Sequence, residues 1–412
     1  MSHSTIRTVY FASHLPRAIA DALNAESGRI YTQVMVEQYR IYRKTGTWLS
    51  PKAQERLNDG YNAGQSPLLH AHSIDAAQQG FAKACKTAKA NRGDGAHYPH
   101  KRKRYRTTIW KNTGIRLKDG CLLLSLARGN QPIKVDLPKP LQALPVESFT
   151  EMRLVYNKSS RHYEWHLAVG DGIKIVPTSN LNAAAIDLGE IHPVTITDGM
   201  DACVVSCREL RSVSQHINKR ISKFQQAQSK LKRGSRRSKK LIRRKVRFLA
   251  RQKRRKRDLE HKISRAAVDW CVEQKVGVLA IGEVRAIADG KHLHRKSQQK
   301  ISQWSHGKMR TYIGYKAAAR GISVYDDVNE AQTSQTCTNC GNRHKPKGRV
   351  YTCPSCGAVV HRDVQGASNI LSRFLYGELA KVPVPKPKYR HPVLRGKRSS
   401  PGHGASSSAV TR

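Results

Sequence analysis

Residues 351–371 read YTCPSCGAVVHRDVQGASNIL and set a Cys-x-x-Cys pair, Cys353 and Cys356, a few residues before His361, Arg362 and Asp363. A matching pair, Cys337 and Cys340, lies twelve residues upstream, and a glycine follows each pair at Gly341 and Gly357. Each such turn presents two thiolates to one ion, and two turns complete a tetrahedral sulfur site, so the spacing predicts structural zinc. Four thiolates close the coordination, which leaves zinc no catalytic position and His361 no place as a fifth ligand. Asp363 therefore needs a separate reading. It is either the N-cap of a helix beginning near Val364 or an acid delivered to a site built elsewhere in the chain.

Two other acids suggest where. The short buried strand AAAIDLG ends in Asp187, and VGVLAIGE ends in Glu283. With HPVTITDG and ACVVSC as further strands and a long helical region between, the pattern predicts a mixed α/β core. Singly, each acid reads as a cap or turn residue. Together, acids at adjacent strand ends plus one at a helix start can share a pair of divalent cations, one preparing a water and the other stabilising the leaving oxygen of a phosphodiester. Hard oxygen ligands suit Mg²⁺ or Mn²⁺.

Charge narrows the partner. The 412 residues carry 75 Lys and Arg against 29 Asp and Glu, a formal +46, and such an excess calls for a polyanion, nucleic acid first. No apolar run approaches the roughly 18 residues that span a bilayer, and the N-terminal MSHSTIRTVYF lacks a signal-peptide core, so no membrane partner is expected. Nine cysteines, an odd number, fit a reducing compartment. Between Lys219 and Arg257, 20 of 39 residues are Lys or Arg and none is acidic. Ile217, Ile221, Phe224 and Leu231 keep a helical spacing, Gly234-Ser235 interrupts it, and Ile242, Val246 and Leu249 resume it, predicting a helical hairpin. A charge run is usually a solvated face, but one of a single sign and this density repels itself without phosphates. Lys230, Lys232, Arg233, Arg236, Arg237, Lys239, Lys240, Arg243, Arg244, Arg247 and Arg254 are the expected nucleic-acid contacts.

The N-terminal part changes period once. Residues 15–91 read as helices, with Val34, Tyr39 and Tyr42, then Ile74, Phe81 and Cys85, on apolar faces. From about Thr107 to Val169, GIRL with CLLLSLA and EMRLVYN with YEWHLAV read as hairpins of a small antiparallel domain, a candidate barrel that TIRTVYF could join across the helical insertion. The segment after Lys381, rich in Pro, Ser and base, reads as a disordered tail.

In their order along the chain, AAAIDLGEIHPVTITDG, the basic hairpin leading to DLEHKISRAAVDW, VLAIGEV, QWSHGKMRTYIGYKAAARGISV, SQTCTNCG and CPSCGAVVHRDVQGASNIL resemble TnpB, the RNA-guided nuclease of bacterial insertion sequences. They equally resemble the related compact type V CRISPR effectors. The resemblance covers about 181–371. It implies a multidomain α+β chain: a β-barrel, wedge-like domain at 1–14 and 92–180, a helical recognition domain at 15–91, and an RNase H-like α/β (RuvC) nuclease domain at 181–334 and 358–380 with its basic hairpin at 208–257. A zinc ribbon at 335–357 and a basic tail at 381–412 complete it. Asp187, Glu283 and Asp363 would be its catalytic carboxylates, holding magnesium or manganese, with Arg310, Arg362 and Asn369 in support and Trp304 near a mobile lid. Guide RNA would be a cofactor, and target DNA, single-stranded at the nuclease site, the substrate. A bacterial, nucleoid-associated protein, one chain per RNA, is the implied setting. Two departures stand out: Gln365-Gly366-Ala367 replaces the usual Asn-Ala-Ala run, and Val284 stands where a second acid is common. Two other functions fit the same residues, an RNA-guided binder that represses without cutting and a DNA transposase acting without RNA.

Overall fold

The computed structural model describes residues 6–59, 66–170, 176–284, 294–346 and 348–392. The chain forms two compact units that meet in sequence at 174/175, a few residues before the expected boundary at 180/181. Residues 176–180 pack on the second unit, where the Thr178 amide donates to the Gly321 carbonyl at 3.0 Å.

The first unit runs β1 (Ile6–Ala12), α1 (Arg17–Thr45), α2 (Pro51–Asp59), α3 (Ala71–Ala90), β2 (Thr108–Lys111), β3 (Ile115–Lys118), β4 (Cys121–Leu124), β5 (Ile133–Asp136), β6 (Phe149–Asn157) and β7 (His162–Gly170). The β3–β4 hairpin turns on Asp119 and Gly120, both with positive φ, the conformation that two-residue hairpin loops require. β1 crosses the helical insertion to pair antiparallel with β7, from Ile6↔Gly170 to Ala12↔Glu164. Among the described residues the strands form two open sheets, β1-β7-β6-β2 and β3-β4-β5, where the sequence suggested a barrel. The helices do not pack apart from them: Leu23, Ile30 and Phe81 share one hydrophobic core with Trp110, Leu154 and Leu167. Asn24 of α1 fixes that junction, donating to the Leu154 carbonyl and accepting from the Thr108 amide and hydroxyl. A boundary at 91/92 is thus one of secondary structure and not of packing.

The second unit contains β8 (Asn182–Asp187), β9 (Val194–Thr197), β10 (Ala202–Val205), α4 (Arg208–Ser229), α5 (Arg236–Glu273), β11 (Val276–Glu283), α6 (Arg295–Gln303), α7 (His306–Ala318), β12 (Ser323–Asn329), β13 (Val350–Thr352), β14 (Val359–His361), α8 (Arg362–Tyr376) and β15 (Pro387–Arg390). Its main sheet has the order β12-β11-β8-β9-β10-β15. β8, β9 and β10 form an antiparallel meander, while β11 lies parallel to β8 and β12 parallel to β11. Alternation along β8 serves two layers. Ala184 and Ile186 pack with α5 and α7 through Ile263, Ala267, Met309 and Ile313, and Ala185 packs with α8 through Ile370 and Leu371.

The expected disordered tail begins too early. Val382 and Val384 pack against the sheet side that carries α8, and β15 then pairs parallel with β10. Lys388 and Arg390 meet Asp201 and Glu273 there. Residues 393–412 lie outside the described residues. Among the described residues, no helix is long and apolar enough to cross a membrane.

Candidate active site

The four cysteines converge. Cys337 Sγ lies 3.7 Å from Cys356 Sγ and Cys340 Sγ 3.5 Å from Cys353 Sγ, and all four sulfurs fall within 4.8 Å of one another. Four sulfurs bonded to zinc at about 2.3 Å in a tetrahedron stand about 3.8 Å apart, so the residues fit the ion. Each knuckle closes through its glycine: the Gly341 and Gly357 amides return to the Cys337 and Cys353 carbonyls, with φ of 72° and 70°, where a side chain would be strained.

The acids converge separately. β8, β11 and β12 are parallel neighbours, so their C-terminal ends open on one side of the sheet, the usual place for a site in such sheets. Asp187 ends β8 and Glu283 ends β11, and Glu330 follows the last residue of β12, Asn329, which pairs with Glu283. Asp363 enters from the first turn of α8, where the helix dipole favours a carboxylate. Helix α8 begins at Arg362 with His361 as N-cap, so Asp363 is inside the helix rather than capping it. Close approach of α8 depends on Gly366, where an added Cβ would lie 2.7 Å from Asp187 Oδ2. Burial and the Asp363 charge push the Asp187 carboxyl up, against the opposing pull of Arg362 and Arg349. Burial, then Asp187 and Glu283, push Glu330 up to about 9. Acids that raise one another in this way would be relieved by a nearby cation, and their oxygens are the ligands that Mg²⁺ or Mn²⁺ takes.

The sequence reading missed Glu330. Its Oε1 is sealed from solvent without a hydrogen-bond partner, and its side chain occupies the space that a Cβ on Gly282 would fill, 1.8 Å from Oε1. The folded-state pKa is raised, so the stability this group supplies when protonated is complete below pH 4.5 and lost as pH rises toward 9. Glu330→Gln removes that loss. In chelator at pH 8 the variant should melt roughly 3 °C or more above the parent, with the gap closing toward pH 5; parallel melting profiles across that range would show that Glu330 is solvated.

The supporting residues act at different points. Arg310 on α7 donates from Nη1 to Glu283 Oε2 at 3.2 Å and to the Asp326 carbonyl at 2.8 Å, and its Nε pairs with Asp326 Oδ2 at 3.1 Å. Arg362 donates to the Gly348 carbonyl at 3.3 Å. Arg349, which the sequence reading passed over, holds Asp363 Oδ2 at 2.5 Å. Asn369 is fully buried and donates to the Thr333 and Thr336 carbonyls, and Gln365 also donates to Thr336. Both therefore tie α8 to the segment that leads into Cys337. Trp304 packs at the edge of the core under α5 and α7.

The basic segment is a helical hairpin, α4 and α5, with Ser235 capping α5 by accepting from the Ser238 amide at 3.2 Å. Phe224 and Phe248 join the helices with ring centroids 5.9 Å apart, and the Arg220 guanidinium covers both rings. All eleven basic residues singled out from sequence are exposed. Arg236, Lys239, Lys240, Arg243 and Arg247 fall on one face of α5 and line a cleft of about 540 Å³ without an acid in its walls.

Known proteins resemble this chain in sequence and in fold. Residues 169–288 match the family model described as "Probable transposase", the OrfB family of IS605, and residues 306–370 match the "Cas12f1-like, TNB domain" model. TnpB-like protein MJ0751 of Methanocaldococcus jannaschii is 29% identical over 31% of this chain and 45% of its own length. A Streptomyces pristinaespiralis protein provisionally named an RNA-guided DNA endonuclease is 28% identical over 60% of this chain and 58% of its own. The chain thus spans about half the length of these relatives. Among solved structures, the Cas12f1 chain of a Cas12f1–sgRNA–target DNA complex shares the fold with a TM-score of 0.60 at 15% identity, over 86% of this chain and 83% of that one. CasPhi-2 (Cas12j) bound to crRNA and phosphorothioate DNA aligns with a TM-score of 0.50 at 11% identity, over 93% and 92%. Two family models matched in succession on the unit that bears the cysteines and the carboxylates, together with TnpB-like relatives, are consistent with the TnpB family.

Proposed function

We propose that this chain is an RNA-guided DNA endonuclease that cuts phosphodiester bonds at Asp187, Glu283 and Asp363, with Glu330 beside them. The observation that carries the reading is the convergence of acids at the ends of three parallel strands and the start of α8, in the same unit as a helical hairpin whose stretch from 219 to 257 is densely basic and free of acids. The sheet order, an antiparallel β8-β9-β10 meander with β11 and β12 parallel beyond β8, supports reading this unit as an RNase H-like core. Mg²⁺ or Mn²⁺ held by these carboxylates would activate the attacking water and stabilise the leaving oxygen. The chain's own residues fix the acids beforehand: Arg310 orients Glu283, Arg349 neutralises Asp363, and Gly366 lets α8 bring Asp363 toward Asp187. Base pairing in a guide RNA supplies sequence reading, so the protein needs phosphate contacts, a short flanking-motif reader and a channel for the displaced strand. The first unit serves recognition in this scheme, its helical part at 15–91 against the guide–target duplex and its sheets against RNA scaffold and flanking DNA. The cysteine ribbon at 335–357 is a closed zinc staple within the nuclease unit.

The test is to purify the chain with the RNA that accompanies it, sequence that RNA, and supply matched duplex DNA with Mg²⁺. Cleavage of matched DNA alone is expected. RNA-free protein with full activity would instead favour a transposase, and guided binding without any cut would favour a repressor.

The hairpin carries its own prediction. Replacing Lys239, Lys240, Arg243 and Arg247 with Gln should weaken RNA binding uniformly across guide sequences. It should also flatten the log–log salt dependence by about 0.7–0.9 for each phosphate that the variant no longer neutralises. Filter-binding titrations between low and moderate salt measure the slope, and an unchanged slope would mean that the face is merely solvated.

A further inference from the structure

Beside the carboxylates lies a cluster of different chemistry. His192, five residues beyond Asp187 in the loop before β9, His361 at the end of β14, and Asp363 each offer a ligand atom, and the three atoms lie within 4.8 Å of one another. Nδ1 of His192 and Nδ1 of His361 are both sealed from solvent, and neither has a hydrogen-bond partner. A buried polar atom left unpaired costs free energy, and two on neighbouring rings call for a shared ligand. The rings are held from outside. Their centroids are 5.9 Å apart, and Tyr389 of β15 stands edge-on to both, at 6.0 Å and 6.2 Å.

We propose that His192, His361 and Asp363 form a second metal site, nitrogen-rich and separate from the four cysteines, for a divalent first-row transition ion such as Co²⁺, Zn²⁺ or Mn²⁺. Two imidazoles and one carboxylate disfavour Mg²⁺ and Ca²⁺, which take oxygen ligands, and they leave further positions open. Ligand distances near 2.0–2.2 Å put neighbouring donors about 3 Å apart, so side-chain movements of about 1–2 Å complete the site. Arg349 opposes occupation: its Nη1 sits 2.5 Å from Asp363 Oδ2. With a side chain 42% exposed, it can yield to the ion. The site rests on these residues alone, whether or not the neighbouring acids cut DNA. Because Asp363 belongs to both, an ion here competes with the carboxylate cluster for that side chain.

The test is Co²⁺ titration of the full-length, zinc-loaded chain, with Glu283→Gln and Glu330→Gln in the parent so that the oxygen-only cluster is weakened while all three proposed ligands stay. The parent should take up one Co²⁺ beyond its zinc, with weak ligand-field bands and without the intense thiolate charge-transfer bands of a substituted cysteine site. His192→Ala and His361→Ala should each weaken uptake at least about tenfold with zinc content and melting unchanged, and Arg349→Met should tighten it. No uptake by the parent at millimolar Co²⁺, or uptake that survives both histidine substitutions, overturns the proposal. Should His361→Ala perturb the ribbon, His192→Ala on its loop decides alone.

Discussion

Asp187→Ala should abolish DNA cleavage, by at least about 10³-fold in single-turnover rate, while guided binding to the same DNA stays within about twofold. On the proposed function, the substitution takes a charge-positioning group from the reacting centre, where a single change removes most of the rate. Binding should survive because the phosphate contacts are assigned to the hairpin, whose cleft is lined by α5 residues 236–247 and includes none of the acids. Folding should survive as well: the Asp187 carboxyl is pushed up by burial and by Asp363, so in metal-free protein its removal relieves repulsion. Electrophoretic mobility shift with matched DNA, run beside the cleavage time course, separates the two effects. Residual cutting above about 1% of the parent rate would remove Asp187 from the chemistry. Joint loss of binding and cutting would make it a folding residue.

The parts of this site legible in sequence were those whose geometry is local. Cys337, Cys340, Cys353 and Cys356 announce themselves because a Cys-x-x-Cys turn fixes two ligands within one bend of the chain. Asp187 and Glu283 are visible because each terminates an uninterrupted apolar strand. Glu330 was not, since Asp326 and Asp327 stand just before it and only the register of β12 on β11, Glu283↔Asn329, says which acid meets the others. The His192–His361 pairing is likewise invisible in one dimension, its members 169 positions apart. Periodicity shows that α1 and α3 bury a face but not against what, which is why the shared core of Leu23, Phe81 and Trp110 was read as two domains. The strand PKYR was hidden for another reason: it has no apolar pattern of its own, and its pairing is imposed by the open edge of β10 and the burial of Val382 just before it.

Cys353→Ser should release the zinc and cost at least about tenfold in cleavage, while RNA binding is retained. Metal supplies most of the folding free energy of so small a module, about 10–16 kcal/mol for structural zinc. Among the described residues the ribbon's own core is Cys337, Tyr351 and Cys353, with Ala358 and Val360 against them, far too little to hold without the ion. What melts with it matters more than the ribbon itself. Arg349 and Gly348, the partners of Asp363 and Arg362, lie in it, and Thr333 and Thr336, which receive the amides of Gln365 and Asn369, lie at its base. Loss of zinc therefore loosens the first two turns of α8, the segment that delivers Asp363. Opposing this, Val364, Ala367, Ile370 and Leu371 remain buried against the sheet and hold the helix body, so the fall in rate should be partial where that of Asp187→Ala is complete. Zinc content, melting temperature and single-turnover cleavage on the same preparation decide. A zinc-free variant that cuts at the parent rate would mean that α8 is positioned by its apolar face alone and that the ribbon plays no part in placing the acid.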